Sequence, residues 1–190
     1  MFPRFIKLLR TIFISWQVVL DREKGGSSSL LTRSNKMKIH TPIGFLWLDA
    51  DESGLTAVSF QPISESESAN QRILTRTQEQ FEEYFAGKRK EFDVPLSIKR
   101  GTPFQQNVWK ALSTIPYGEI RTYKEVAVAV DSPKAVRAIG QANRTNPLPI
   151  VIPCHRVIGQ NGKLTGYMGN AIDGVEIKRQ LLLLEGYLQN

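Results

Sequence analysis

Apolar and polar positions alternate along the chain from Lys38 onward. The runs Ile43-Gly-Phe-Leu-Trp-Leu-Asp49 and Leu55-Thr-Ala-Val-Ser-Phe60 flank the turn-forming cluster Asp51-Glu-Ser-Gly54, which predicts a β-hairpin. The spacing then lengthens. Between Ala69 and Ala86, Ile73, Leu74, Thr77, Phe81, Tyr84 and Phe85 recur at helical intervals, and Gly87 supplies a C-terminal cap. A strand from Phe92 to Leu96 is predicted to close this unit, so residues 37–99 read as a small α/β domain. Nearly all of these residues read as core.

The pattern changes at Gly101-Thr-Pro-Phe-Gln105, where Thr102 can cap a helix, Pro103 suits its first position and Gln105 completes a capping box. Phe104, Val108, Ala111 and Leu112 share one face, with Trp109 beside it, and Pro116-Tyr-Gly118 ends the helix. Two short helices are predicted next, Thr122–Val130 and Pro133–Asn143, joined at Asp131-Ser132 with Ser132 as cap. A turn this tight makes them a helix-turn-helix candidate. Spacing alone is a weak signal, because most helical hairpins bind nothing. Composition strengthens it: the second helix carries Lys134, Arg137 and Arg144 beside Ala135, Ala138, Gly140 and Ala142, so its backbone can approach a nucleic-acid groove. The alternative is close packing within the domain. Residues 100–190 thus read as a mostly α domain.

Composition narrows the class. The chain has 190 residues, 41% hydrophobic and 23% charged, which is ordinary for a globular protein, and it has no apolar run long enough to cross a bilayer. The net charge of +7 is unevenly placed. Residues 1–36 hold 7 Lys/Arg against 2 Asp/Glu, residues 37–99 hold 7 against 10, and residues 100–190 hold 11 against 6. A polyanionic partner would therefore meet the C-terminal half. In residues 1–36, Arg4, Lys7 and Arg10 accompany an apolar stretch through Leu20, followed by the linker-like Asp21-Arg-Glu-Lys-Gly-Gly-Ser. An interfacial helix, a cryptic signal and an extension upstream of a true start at Met37 all fit. The abrupt onset of pattern after Met37 favours the last. No membrane partner is expected for residues 37–190.

Cys154 is the sole cysteine, and His40 and His155 are the only histidines. No intrachain disulfide can form, and neither a multi-cysteine nor a His-rich metal site is available, so chemistry without metal or cofactor in a reducing, cytoplasmic setting is expected. The apolar run ending in Ile152-Pro153 reads as strand-like and presents the thiol at its end. His155 and Arg156 are expected to lower the thiol pKa, and His155 can accept its proton. Neighbours in extended chain point to opposite sides, so a bridging water fits better than direct contact. A lone cysteine after an apolar run is more often inert, and His155 and Arg156 alone would be a structural histidine and an ion-pair partner. Their adjacency to the thiol reverses that weighting.

Pro153-Cys-His-Arg-Val157 resembles the active-site motif of the O6-alkylguanine-DNA alkyltransferases, the methylated-DNA–protein-cysteine methyltransferases. Gly101-Thr-Pro-Phe-Gln105, Ile115-Pro-Tyr-Gly118, Thr122-Tyr123, Ala135-Val-Arg-Ala-Ile-Gly140, Asn146-Pro147, Leu164-Thr-Gly-Tyr167 and Leu181-Leu-Leu-Leu-Glu-Gly186 follow in the family's order. The resemblance spans about residues 37–188 and is strongest in the C-terminal half. It implies a ribonuclease H-like N-terminal domain, a three-stranded sheet with a helix, and a C-terminal domain with a winged-helix-like helix-turn-helix. It also implies irreversible transfer of an alkyl group from O6-alkylguanine, or O4-alkylthymine, in duplex DNA to Cys154, with the base flipped out and no cofactor. His155, a water and Glu185 would form the relay that deprotonates Cys154, and Asn146 would brace the turn. Tyr123 would donate to guanine N3, the main-chain carbonyls of Cys154 and Val157 would accept the exocyclic amine, and Tyr167 and Met168 would line the pocket, with the Met168 N–H toward O6. Arg137 would fill the vacated stack from a recognition helix in the minor groove, alongside Ala138, Lys124, Ser132 and Gln160. A monomer is implied.

The chain departs from the family pattern after Tyr167, where Met168–Gly174 is longer and bears on the lid and on the size of alkyl group accepted. Zinc, present in the N-terminal domain of some relatives, needs cysteines absent here. The nearest rival is a non-enzymatic damage sensor of the same fold, against which Cys154 argues. A transcription regulator would need a sensing domain larger than residues 1–36, and a generic thiol enzyme would leave Arg137 without a role.

Overall fold

The computed structural model describes residues 36–63, 70–165, 167 and 174–189. The readings of the N-terminal extension before Lys36, the placement of Met168 and nearly all of the long segment after Tyr167 lie outside them. Strands β1 (Met37–Thr41), β2 (Gly44–Asp51) and β3 (Gly54–Ser59) form an antiparallel meander in that order. The hairpin is as expected, and β1 adds a strand ahead of it. Alternation turns Leu46, Leu48 and Ala50 inward. Helix α1 (Gln71–Phe85) covers that face with Leu74, Thr77, Phe81 and Tyr84, and Asn70 caps it by accepting the Ile73 N–H at 3.2 Å.

The predicted strand at Phe92–Leu96 does not form. One parallel bridge joins Leu55 to Leu96, flanked by Leu55 N–H to the Pro95 carbonyl (2.8 Å) and Ser97 N–H to the Leu55 carbonyl (2.9 Å). Pro95 has no N–H to extend the ladder.

The second half is helical. Helix α2 (Pro103–Leu112) carries the expected Thr102–Gln105 capping box. Gly101 precedes it with φ +94°, and a side chain there would meet the Trp109 ring. A two-residue strand β4 (Arg121–Thr122) leads into α3 (Tyr123–Ala129), then α4 (Val136–Arg144), β5 (Val157–Ile158) parallel to β4, and α5 (Gly174–Leu184). Trp109 Nε1 donates to the Ala142 carbonyl at 2.8 Å, fixing α2 to α4.

The second helix of the helix-turn-helix begins at Val136 rather than Pro133, and Ser132 does not cap it. Ser132-Pro133-Lys134-Ala135 is a β-turn closed by Ala135 N–H to the Ser132 carbonyl at 2.8 Å. Proline's fixed φ suits the second position of such a turn as well as a helix start. Asp131 takes φ +54°, a conformation Asp tolerates better than most residues. Among the described residues, no helix is long and apolar enough to cross a membrane.

Candidate active site

The segment from Asn146 to Ile158 positions the thiol, and it is not the strand-like run its apolar residues suggest. Pro149 and Pro153 interrupt ladder bonding, and the chain closes a turn through Ile152 N–H to the Leu148 carbonyl at 2.8 Å. Ile150 lies within it at φ +75°, an uncommon conformation for a β-branched residue that needs its surroundings to hold it. Asn146 supplies the hold. Its Oδ1 accepts the Leu148 N–H (3.0 Å), and its Nδ2 donates to the Ile152 carbonyl (2.8 Å) and to Cys154 Sγ (3.1 Å). Cys154–Arg156 then form a 3-10 turn, so the thiol opens a helical turn rather than ending a strand.

Behind the thiol lies a buried charge cluster around Glu185. Its Oε1 accepts from Tyr84 OH (2.7 Å), Arg156 Nη2 (2.8 Å) and His155 Nε2 (2.9 Å), and its Oε2 accepts from Arg156 Nε (2.9 Å) and Gly118 N–H (3.3 Å). The Glu185 side chain has no exposure. Burial works to raise its pKa, but hydrogen bonds and charge from His155 and Arg156 outweigh that and hold the carboxyl well below the usual carboxylate range. Glu185 therefore stays ionised. Burial lowers the His155 pKa despite the neighbouring carboxylate. A neutral His155 facing an acceptor-only carboxylate carries its proton on Nε2, which leaves Nδ1 as a lone pair. Nδ1 has no partner among the described residues.

The thiol corrects one expectation. Burial pushes the Cys154 pKa up, and the opposing influences are led by the Asn146 amide and the Lys178 ammonium rather than by His155 and Arg156 side chains. The Arg156 guanidinium is spent on Glu185 and on the Ile115 carbonyl (2.6 Å).

Cys154, His155, Asn146 and Glu185 are thus brought together. Around them, Tyr123 OH donates to the Thr165 carbonyl at 3.0 Å, and the buried Lys178 donates to the Val157 carbonyl and to the Thr165 carbonyl (3.0 Å). Burial brings the Lys178 pKa down to about 8. Tyr167 is buried with its ring edge-on to His155. Arg137, Ala138, Lys124 and Gln160 are exposed, and Ser132 is half-buried in the turn before α4. Sequence reasoning missed Tyr84, which its spacing marks as core, and Lys178, which shares a helical face with Leu181, Leu182 and Glu185 but stands beside Glu176, Arg179 and Gln180, so its local sequence does not separate it from a surface lysine. Among the described residues, no group of three or more His, Cys, Asp or Glu side chains is placed to hold a metal.

Two family models match the chain: the ribonuclease-like domain of 6-O-methylguanine DNA methyltransferase over residues 36–98 and the DNA-binding domain of the same protein over residues 103–187. The constitutive methylated-DNA–protein-cysteine methyltransferase of Bacillus subtilis is 49% identical over 154 residues, covering 76% of this chain and 91% of that protein. The methylated-DNA–protein-cysteine methyltransferase of Methanosarcina acetivorans is 49% identical over 77% of this chain and 94% of its own. Among solved structures, O6-methylguanine methyltransferase of Mycobacterium tuberculosis superposes with TM-score 0.71 at 43% identity, covering 82% of this chain and 94% of that one. The OGT of that organism in complex with DNA gives 0.69 at 47%, covering 78% and 90%.

Proposed function

The chain belongs to the 6-O-methylguanine DNA methyltransferase family, DNA repair proteins that take an alkyl group onto a cysteine, and we propose that Cys154 is that cysteine here. The substrate is O6-alkylguanine in duplex DNA, with O4-alkylthymine as a second, bound through the minor groove by a cytoplasmic monomer. Transfer is single-turnover, with the base flipped out of the duplex to reach the thiol.

The observation that carries the reading is the line from Glu185 through His155 toward Cys154. The permanent carboxylate fixes the imidazole with Nδ1 as its basic nitrogen, and a water takes the thiol proton to it. Asn146 Nδ2 and the Lys178 ammonium favour the thiolate that burial disfavours. The Sγ–carbon bond forms as the carbon–O6 bond breaks, and the departing guanine takes up one proton. The product is a thioether at Cys154, which no group in the site reverses, so each molecule acts once.

Tyr123 and the carbonyls of Cys154 and Val157 hold the base, with Tyr167 and Met168 closing the pocket. Arg137 enters the stack behind the flipped nucleotide, and Ala138, Lys124, Ser132 and Gln160 contact the flanking DNA. Residues 37–99 act as one domain and 100–190 as the other, the second holding the DNA and the thiol.

Intact mass and peptide mapping after incubation with a duplex containing O6-methylguanine test the reading. One added methyl group on the Cys154 peptide, saturating at one per molecule, is expected. Selective binding without added mass would reassign the protein as a damage sensor. Arg137→Ala is expected to slow repair of duplex far more than reaction with free O6-benzylguanine, and equal losses would refute the stack-filling role.

A further inference from the structure

Of the five donors around the Glu185 carboxylate, four come from the C-terminal half: the Gly118 N–H, His155 Nε2 and two nitrogens of Arg156. The fifth comes from the other domain. Tyr84 stands in the last turn of α1, 101 residues away in sequence, and its hydroxyl donates to Oε1 at 2.7 Å, the shortest of the five bonds. The side chain is fully buried and its ring is held on several sides. Phe85 and Phe92 lie at 5.2 and 5.4 Å between ring centroids, and Tyr117 of the C-terminal half meets it edge-on at 6.1 Å. The Tyr117 hydroxyl is engaged elsewhere, on the Leu184 carbonyl at 3.0 Å. A hydroxyl buried in this way needs a protein acceptor, and Glu185 is the one the fold provides. Burial and the adjacent carboxylate hold the Tyr84 pKa well above the usual phenol range, so it donates without ionising.

Oε1 is shared. Tyr84, Arg156 Nη2 and His155 Nε2 all bond to it, so an oxygen with two lone pairs serves three donors. Charge that the phenol neutralises on Oε1 is charge the imidazole does not feel. The Tyr84 bond therefore governs where the carboxylate sits and how firmly it would hold a second proton on His155.

We propose that Tyr84 is a positioning residue of the relay, whose hydroxyl, reaching across the domain boundary to Glu185 Oε1, fixes the carboxylate against His155 and keeps the imidazole free to accept the thiol proton. This rests on the reading in which His155 takes that proton. Tyr84 acts through Glu185 and His155 and takes no proton from the thiol. The working site is thus a product of both domains, because residues 100–190 alone leave Oε1 one donor short.

Cys154 and Arg156 flank the imidazole in its own turn, Lys178 and Glu185 act on it from α5 and the residue beyond, and Tyr167 lies edge-on. Of this set Tyr84 bonds only Glu185. Weakening that bond leaves more charge on Oε1, stabilises the imidazolium and moves the acid limb of the transfer rate to higher pH.

The test measures single-turnover methylation of Cys154 by a duplex carrying O6-methylguanine, in the full chain, from about pH 5 to 8. Tyr84→Phe removes the donor and keeps the ring, and its acid limb is expected to lie higher by roughly half a pH unit or more. Site-specific 3-fluorotyrosine at position 84 keeps the shape and strengthens the donor, so its limb is expected to lie lower. Tyr117→Phe alters the same aromatic pair without reaching the carboxylate and should leave the limb in place. Uniform slowing at every pH in Tyr84→Phe, without a shift in either position-84 variant, would reduce Tyr84 to packing and overturn the proposal. An equal shift in Tyr117→Phe would do the same by tracing the effect to domain docking. Should Tyr84→Phe fail to fold, the fluorinated chain decides: a downward shift supports the assignment and no shift overturns it. These failures in an active wild type concern Tyr84 alone, whereas a wild type that leaves Cys154 unmodified removes the functional reading itself.

Discussion

Replacing Glu185 by glutamine separates the structural and chemical duties of the buried carboxylate. The amide is nearly isosteric, but the five donors that surround the carboxylate cannot all be met. Placed at Oε2, the amide nitrogen faces Arg156 Nε–H and the Gly118 N–H; placed at Oε1, it faces Tyr84, His155 and the other arm of Arg156. Either way the Arg156 guanidinium is left buried without a countercharge. Removing one partner of a buried ion pair costs about 3–5 kcal/mol. For a chain of this size that corresponds to a melting temperature lower by roughly 6–20 °C. His155 also loses the charge that fixes its tautomer, and loss of a positioned base slows transfer by about 10²- to 10⁴-fold. Differential scanning calorimetry and single-turnover methylation kinetics measure the two effects independently. Adding Arg156→Met to Glu185→Gln should restore much of the stability and none of the rate, because the orphaned charge goes but the imidazole remains unsupported. A melting temperature within about 2 °C of wild type and a rate within about threefold for Glu185→Gln would refute the reasoning, since both lie well below the losses expected of a buried pair and a positioned base.

The remaining predictions concern the turn, the glycine beside Trp109 and acid. Asn146→Ala removes the bonds to Sγ, the Ile152 carbonyl and the Leu148 N–H, so the thiol pKa should rise, read from the pH dependence of Cys154 alkylation by iodoacetamide, with a loss of about 1–3 kcal/mol in urea denaturation. Gly101→Ala places a methyl 2.5 Å from the Trp109 ring at φ +94°. It should cost about 2–4 kcal/mol in the same assay, from strain and overpacking together. Acid should act in two windows. The folded His155 refuses a proton that the unfolded chain accepts at 6.5, so stability falls as pH drops below that value toward the depressed folded pKa. Glu185 remains ionised in the fold while the unfolded chain protonates near 4.5, adding a second loss below that pH. Thermal melts across the range should show both, with the second much reduced in Glu185→Gln.

The sequence made the hairpin, α1, α2 and its cap, and the grouping of Asn146, Cys154, His155 and Glu185 legible because each is signalled by alternation, helical spacing or a motif. The failures share one cause. Phe92–Leu96 and the run before Cys154 are apolar and strand-like, but Pro95, Pro149 and Pro153 withhold the N–H groups a ladder needs, and tertiary contacts decide what replaces it. Pro133 satisfies a helix start and a turn equally well, so local preference cannot choose. Tyr84 escaped because its spacing marks it as core and Lys178 because it stands among charged and polar neighbours, and only the assembled fold shows that the phenol reaches Glu185 and the ammonium the Val157 carbonyl.

The bonds that build the Glu185 cluster span 101 residues to Tyr84, 67 to Gly118 and 29 to Arg156. Contacts this distant pay their loop-closure entropy before they return any stabilisation, and they form late. A chain emerging from the ribosome can complete the sheet and α1 long before the carboxylate has been synthesised. The imidazole then lacks its orienting charge until the last helix docks. Under the proposed relay, reactivity is tied to the docking of the segment that carries Glu185, and a nascent or partly opened molecule keeps its single thiol in reserve.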